Sequence, residues 1–409
     1  MARLLLLLPT ATYRAPDFLA AARSLGVEVV VGSERSQAMA RAMGDRALVV
    51  ALADPTRAVK AIAELHRRAP IDGIVGVDDQ AVLVAALAAA RLGLRHNPPA
   101  AVSATRDKIA MRRALAAGGV PQPDFRVLGP GDDAAAAAQA VGLPCVVKPV
   151  SLAGSRGVIR VDDPESVAAA ADRVRAIVAD AGEDGLGCLL VERYVPGDEV
   201  AVEGLLRGGR LDVLAVFDKP DPLEGPYFEE TIYVTPSRLP PATLALIEQT
   251  TAAAAGALGL VEGPIHAELR VDGAQLAVLE IAARSIGGLC SRSLRFGVGV
   301  SLEEVILRHS LGLPLDDLRR EGGASGVMMI PIAAAGTLER VGGQDKARAV
   351  RGIVGLEVSV AAGRTVRPLP EGDRYLGFLF ARGPTPADVE EALRKAHACL
   401  DVVIAAPAD

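Results

Sequence analysis

HAELRVDGAQLAVLEIAARSIGG, residues 266 to 288, is the stretch on which the reading of this chain turns. Two apolar runs flank Asp272-Gly273, so a β-hairpin is expected over 264–281. His266, Glu268 and Arg270 share parity on the first strand, Glu280 follows on the second, and Arg284 closes the run beside Gly287 and Gly288. Glutamates in otherwise apolar strands are hard to explain as packing, because a buried carboxylate needs a partner. Two carboxylates and an arginine beside glycines can hold Mg2+ between phosphate oxygens and neutralise developing charge. A two-residue turn at Asp272-Gly273 would pair 268 with 277 and send Glu280 to the opposite face. The metal reading therefore requires a bulge or a turn of odd length between Arg270 and Leu276.

Similar chemistry recurs upstream. Lys148 ends the apolar run PCVVKPV (144–150), and SLAGSRG (151–157), with Ser151 and Ser155, follows it. A lysine beside such a loop can approach polyphosphate through its ammonium group and the loop's N–H donors; a snorkelling lysine on a plain hairpin would read the same way. In ERYVPGDE (192–199) the backbone can offer a carbonyl and an N–H to an adenine edge while Glu199 accepts from ribose hydroxyls. An ordinary β-turn with solvated charges is the plainer reading.

The first hundred residues alternate apolar runs (4–8, 27–31, 47–52, 72–77) with Ala-rich amphipathic stretches, which argues for βαβ units and a parallel sheet. Ligands of such sheets sit at the carboxyl ends of strands, here Thr10 to Tyr13 and Asp78 with Asp79. Helices are expected at 17–25, 133–141, 241–258 and 386–399, and one opened by the capping-box pattern Ser301-x-x-Glu304. PLEGPYFEETIYVTPS (222–237) reads as a loop.

Composition narrows the classes. The chain has 409 residues, is 50% apolar and 23% charged, and carries a net charge of -6 without a basic block, so nucleic acid is not an expected partner. Aromatics are 3% and Trp is absent, which leaves little for a base-stacking platform. The five leucines at 4–8, stopped by Pro9, are too short for a signal or spanning segment and read as a buried strand, so no membrane partner is expected. Cys145, Cys188, Cys290 and Cys399 match no metal spacing and fit reduced thiols in a cytoplasmic protein. Cys290 reads as a buried thiol rather than a nucleophile, for want of a histidine partner. P-loop, Rossmann, zincin and serine-hydrolase signatures are missing.

Taken in order, Lys108 in RDK, Lys148 in VVKP, the small-residue loop, ERYVPGDE, His266-x-Glu268 and EIAAR at 280–284 resemble the ATP-grasp superfamily over nearly the whole chain. The resemblance implies an α/β and α+β multidomain architecture: an N-terminal βαβ domain (1–100), an ATP-grasp domain (101–318) with a mobile lid at about 120–190, and a small C-terminal α+β domain (319–409). It implies ATP and Mg2+, with Mn2+ as an alternative ion. Lys108 and Lys148 would contact phosphates, Glu192 with the backbone of Arg193 and Val195 would hold adenine, and Glu199 the ribose. Glu268 and Glu280 would bind the metal, and Arg284 would meet the γ-phosphate and the intermediate.

PYFEETIYVTPS with EIAARSIGG resembles the branch of L-amino-acid ligases and carnosine-synthase-like enzymes, which implies phosphorylation of a carboxylate and attack by an amine. Glu230, Tyr233, His266, Arg284, Gly287 and Gly288 would then face the substrates. Many members have Asn where this chain has Ala282, which leaves the number of metal ions open, and often His where it has Tyr233. The alternatives are a carboxylase or purine-pathway enzyme activating bicarbonate or formate, or a nucleotide-binding protein without catalysis. Small-molecule carboxylate and amine partners are expected, and a homo-oligomer is left open.

Overall fold

The computed structural model describes residues 2–10, 12–35, 44–183 and 187–406; Ala11, part of the Thr10 to Tyr13 stretch marked above as a possible ligand site, lies outside them. The leucine run forms β1 (Arg3–Leu7), with Leu4 to Leu7 wholly buried. There follow α1 (Ala15–Ser24), β2 (Glu28–Ser33), β3 (Ala47–Val49), α2 (Pro55–Arg68), β4 (Gly73–Gly76) and α3 (Asp79–Leu92). The strands are parallel in the order β3-β2-β1-β4. A continuous apolar β1 is what a central strand covered on both faces requires.

Helices α4 (Pro99–Arg106) and α5 (Lys108–Ala117) lead to a smaller antiparallel layer. It consists of β5 (Phe125–Leu128), α6 (Ala134–Val141), β6 (Cys145–Pro149), β7 (Ile159–Val161), α7 (Ser166–Asp180) and β8 (Leu189–Arg193), in the strand order β5-β8-β6-β7. Its own core holds Leu128, Ala138, Val147 and Val174.

The rest of the chain supplies β9 (Asp198–Arg207), β10 (Arg210–Asp218), β11 (Ile232–Thr235), α8 (Pro241–Leu258), β12 (Glu262–Asp272), β13 (Gln275–Ala282), α9 (Leu302–Ser310) and β14 (Ala324–Ile330). After these come β15 (Gly336–Gly342), α10 (Gln344–Arg348), β16 (Ile353–Val358), β17 (Thr365–Val366), β18 (Gly377–Gly383), α11 (Pro386–Ala398) and β19 (Asp401–Ala405). One eight-stranded sheet runs β13-β12-β9-β10-β11-β14-β18-β16, and a small one runs β17-β15-β19. Strands from both sides of residue 319 share the larger sheet, because β11 pairs with β14.

Two local expectations are corrected. The stretch 222–237 is not all loop: Ile232 to Thr235 form a fully buried strand, drawn into the sheet between β10 and β14. The capping box at α9 is half made: Ser301 accepts from the Glu304 N–H at 3.1 Å, but the Glu304 carboxylate turns to Arg308 at 2.9 Å and Ser24 at 3.0 Å. Among the described residues no helix is long and apolar enough to cross a membrane.

Candidate active site

The hairpin β12–β13 sets the two carboxylates. Its turn is Gly273-Ala274, since Asp272 pairs with Gln275, and the register then runs regularly to Leu269 opposite Val278. There it shifts, and Glu268 stands directly opposite Glu280. The extra residue is Leu279, so the parity change expected between Arg270 and Leu276 comes from a bulge farther along the second strand, with a two-residue turn retained. Without it Glu280 would fall on the far face.

Arg112 of α5 secures this bulge. Fully buried, it donates to the carbonyls of Val278 at 2.9 Å and Leu279 at 2.6 Å, and to both carboxylate oxygens of Glu192 at 2.6 and 3.2 Å. Glu192 also receives the Lys148 ammonium at 2.7 Å. Burial opposes ionisation of Glu192, yet Arg112 and Lys148 hold its carboxyl down to about 2. Burial pulls the Lys148 ammonium down to about 8 against the attraction of Glu192. The Glu192 side chain is thus committed to protein cations, so of the expected adenine contacts in this segment only those of the main chain are left to it. Within it the Arg193 N–H is already given to Asp124 at 2.9 Å.

Lys219, at the end of β10, is the centre of a second cluster. Its ammonium contacts Glu199 at 2.6 Å, Glu268 at 3.3 Å and Glu230. These three carboxylates lie close enough to bind one cation together, and the Lys219 ammonium already contacts all of them. Arg270 takes the other oxygen of Glu199 at 2.9 Å, so the expected ribose acceptor is doubly paired. The Tyr233 hydroxyl donates to Glu230 at 2.8 Å. Burial, opposed by Lys219 and reinforced by Glu268, pushes the Glu230 carboxyl up to about 7.

His266 lies 3.4 Å from Glu268 and 3.7 Å from Glu203, the latter an ion-pair rather than a hydrogen-bond distance. Burial would lower its pKa, but the two carboxylates raise it to about 9. Glu203 accepts the Ile286 N–H at 2.7 and 2.9 Å, fixing the start of the glycine pair. Gly288 has φ +60°, and a Cβ there would stand 2.8 Å from the Phe378 ring, so this turn needs glycine.

Arg284 donates to Asp79, at the start of α3, at 2.9 Å. Despite the cost of burial, Arg284 holds the Asp79 carboxyl below its ordinary range. Lys108 joins the hairpin to the small-residue loop: its ammonium lies 3.2 Å from Glu280 and donates to the Leu152 carbonyl at 2.8 Å. Ser155 in that loop holds φ +56°, a left-handed conformation unusual for a side-chain-bearing residue.

A cavity of about 360 Å³ collects every ligand-contacting residue expected from the ATP-grasp-like motifs except Ser151. The exposed Ser151 hydroxyl turns instead to Glu183. The Cys290 thiol is buried, and burial pushes its pKa up, as expected of a structural thiol. Two facing carboxylates are hard oxygen donors suited to Mg2+ or Mn2+, whereas Ala282 offers no ligand. The remaining coordination positions would fall to water and phosphate oxygens.

A model of the ATP-grasp domain matches residues 141–293, and a model of the ATP-grasp N-terminal domain matches residues 19–96. The chain belongs to the ATP-grasp superfamily. A model described as L-amino acid ligase C-terminal domain 2 matches residues 328–405 of this ATP-grasp chain. It is 27% identical over 266 residues to alanine–anticapsin ligase of Bacillus subtilis, covering 61% of this chain and 56% of that one. It is also 27% identical over 333 residues, 79% of each chain, to a formate-dependent phosphoribosylglycinamide formyltransferase of Cupriavidus taiwanensis. The solved L-amino acid ligase of Bacillus licheniformis shares the fold with TM-score 0.79 at 23% identity, over 99% of both chains. The chain spans little more than half the length of its alanine–anticapsin ligase relatives. ATP-grasp enzymes use ATP with divalent metal ions, and homologues here are ligases that form C–N bonds.

Sequence reasoning passed over Arg112, Lys219 and Glu203, and marked Asp79 only by its place at the carboxyl end of a strand. The signal for Lys219 was its position at the end of an apolar strand, the feature that drew attention to Lys148. For Arg112 there was only a charge among the apolar positions of α5.

Proposed function

We propose that the protein is an ATP-dependent carboxylate–amine ligase that forms a peptide-like amide bond through an acyl phosphate. The observation that carries this is the Glu268–Glu280 pair opposed across the bulge, in one cavity with Lys108, Lys148 and Arg284. A divalent ion, taken as Mg2+, would be held by Glu268 and Glu280 and would offset phosphate charge. A carboxylate oxygen of the first substrate attacks the γ-phosphorus and ADP leaves. The amine nitrogen then adds to the acyl carbon, phosphate departs, and the ammonium proton is released. Lys148 and Lys108 bring fixed cations to the phosphates, and Arg284, oriented by Asp79, stabilises oxyanions as each addition proceeds. Glu230, fixed by Tyr233 and Lys219, orients the incoming ammonium group.

The branch assignment is supported by the C-terminal match to L-amino acid ligases and by the alanine–anticapsin ligase relative. The formyltransferase relative, matched over more of the chain, favours formate activation as the second reading. Phosphate release across a matrix of amino acids and small carboxylic acids, with mass detection of condensed products, tests the proposal. An amide product supports the ligase; phosphate release sustained by formate or bicarbonate, with no amino acid consumed, overturns it.

A further inference from the structure

Between β17 and β18 the chain passes through residues 367–375, and Arg367, Leu369, Gly372 and Arg374 line the cavity. This turn is closed on itself. The Gly372 N–H donates to the Pro368 carbonyl at 2.8 Å, and a Cβ on Gly372 would stand 2.3 Å from the Arg367 carbonyl oxygen.

Its other side is tied to the small antiparallel layer. The Gly157 N–H donates to the Pro370 carbonyl at 2.9 Å, and Arg156 Nε donates to the Glu371 carbonyl at 3.1 Å. Arg173 of α7 grips the Glu371 carboxylate with two N–H groups at 2.7 and 3.0 Å and reaches the Tyr227 hydroxyl at 2.5 Å. Asp180 receives Arg156 at 2.8 Å and Arg367 at 2.9 Å. Arg156 and Gly157 end the SLAGSRG loop, whose beginning Lys108 holds through the Leu152 carbonyl at 2.8 Å. An isolated, half-exposed ion pair would contribute little. Here a bidentate pair sits within main-chain bonds that share its geometry, so ordering one part orders the others.

We propose that segment 367–375 is a docking post for the SLAGSRG loop, with Arg173 and Glu371 as positioning residues that fix the loop over the ATP phosphates. The post joins two walls of the cavity, so nucleotide binding also sets the wall formed by Arg374 and Tyr375. This deepens the ligase reading and rests on it for the product it names. When the post is broken, the loop lifts and water competes with the amine for the acyl phosphate, returning the carboxylate and free phosphate.

The test compares wild type, Glu371→Gln, Arg173→Ala and the charge-exchanged pair Arg173→Glu with Glu371→Arg. Hydrogen exchange is followed at 151–157 and 366–376, with and without Mg2+ and a non-hydrolysable ATP analogue. In wild type the analogue should protect both segments; in the single variants 366–376 should keep its nucleotide-free exchange. The phosphate-to-amide ratio should rise roughly 3- to 5-fold in the single variants and fall back in the exchanged pair, with the KM for ATP changing less than the ratio. A wild-type segment 366–376 indifferent to the analogue overturns the docking post, whatever product is made. Both segments protected in a wild type that yields no amide supports the post while removing the ligase reading. Single variants with an unchanged ratio and unchanged exchange also overturn it.

Discussion

The Arg112 guanidinium donates to the Leu279 carbonyl at 2.6 Å, at the residue whose insertion turns Glu280 toward Glu268. The same group holds Glu192, which holds Lys148, so one buried arginine connects the carboxylate pair proposed to hold the metal to the lysine proposed to meet phosphate. Its replacement by Met should cost about 3–5 kcal/mol of stability, because Glu192 would lose its main buried partner. Denaturant melts measure that loss. Arg112→Lys keeps the charge but cannot fork between a carboxylate and two carbonyls. In that variant, Mn2+ affinity measured by electron paramagnetic resonance should fall while the fold persists; unchanged affinity would detach Arg112 from the carboxylate pair.

Glu280→Gln should leave the fold intact, since the side chain is only partly buried, and reduce turnover by roughly a thousandfold or more through loss of a metal ligand. Steady-state phosphate release, checked against circular dichroism, reads this out. Near-normal turnover in the folded variant would remove Glu280 from the site.

Lys148 gives the site a pH dependence. Its ammonium, lowered to about 8 by burial, is charged below that pH and neutral above it, whereas ATP phosphates prefer it charged. The KM for ATP should therefore stay flat below pH 8 and rise roughly tenfold by pH 9. Lys148→Ala should weaken ATP binding and phosphoryl transfer together. A calorimetric ATP affinity equal to wild type, with no pH dependence, would place Lys148 away from the phosphates.

Glu230 accepts from Tyr233 at 2.8 Å and contacts Lys219. Glu230→Ala should raise KM for the amine substrate at least tenfold, or about 1.4 kcal/mol, while KM for ATP changes much less. Equal increases in both constants would show that Glu230 serves the nucleotide side through Lys219.

The sequence by itself determined the order of elements and the chemical types at the site. Periodicity exposed the parallel N-terminal sheet, apolar runs exposed β1, β6 and β12, and charges within those runs marked Lys148, Glu268 and Glu280. These are local signals, because a strand's alternation and a buried charge's need for a partner are written over a few residues. Tertiary structure decided which groups meet. The Leu279 bulge has no local signature, since it depends on carbonyls that Arg112 captures from a helix more than 160 residues away. Glu192 and Glu199 carry carboxylates that suggest ligand contacts in sequence, yet the fold assigns each to two protein cations. The Ser151 hydroxyl sits in the expected loop and turns out of the cavity to Glu183. Strand pairing and burial join residues far apart along the chain, and electrostatic partners follow from that packing rather than from spacing.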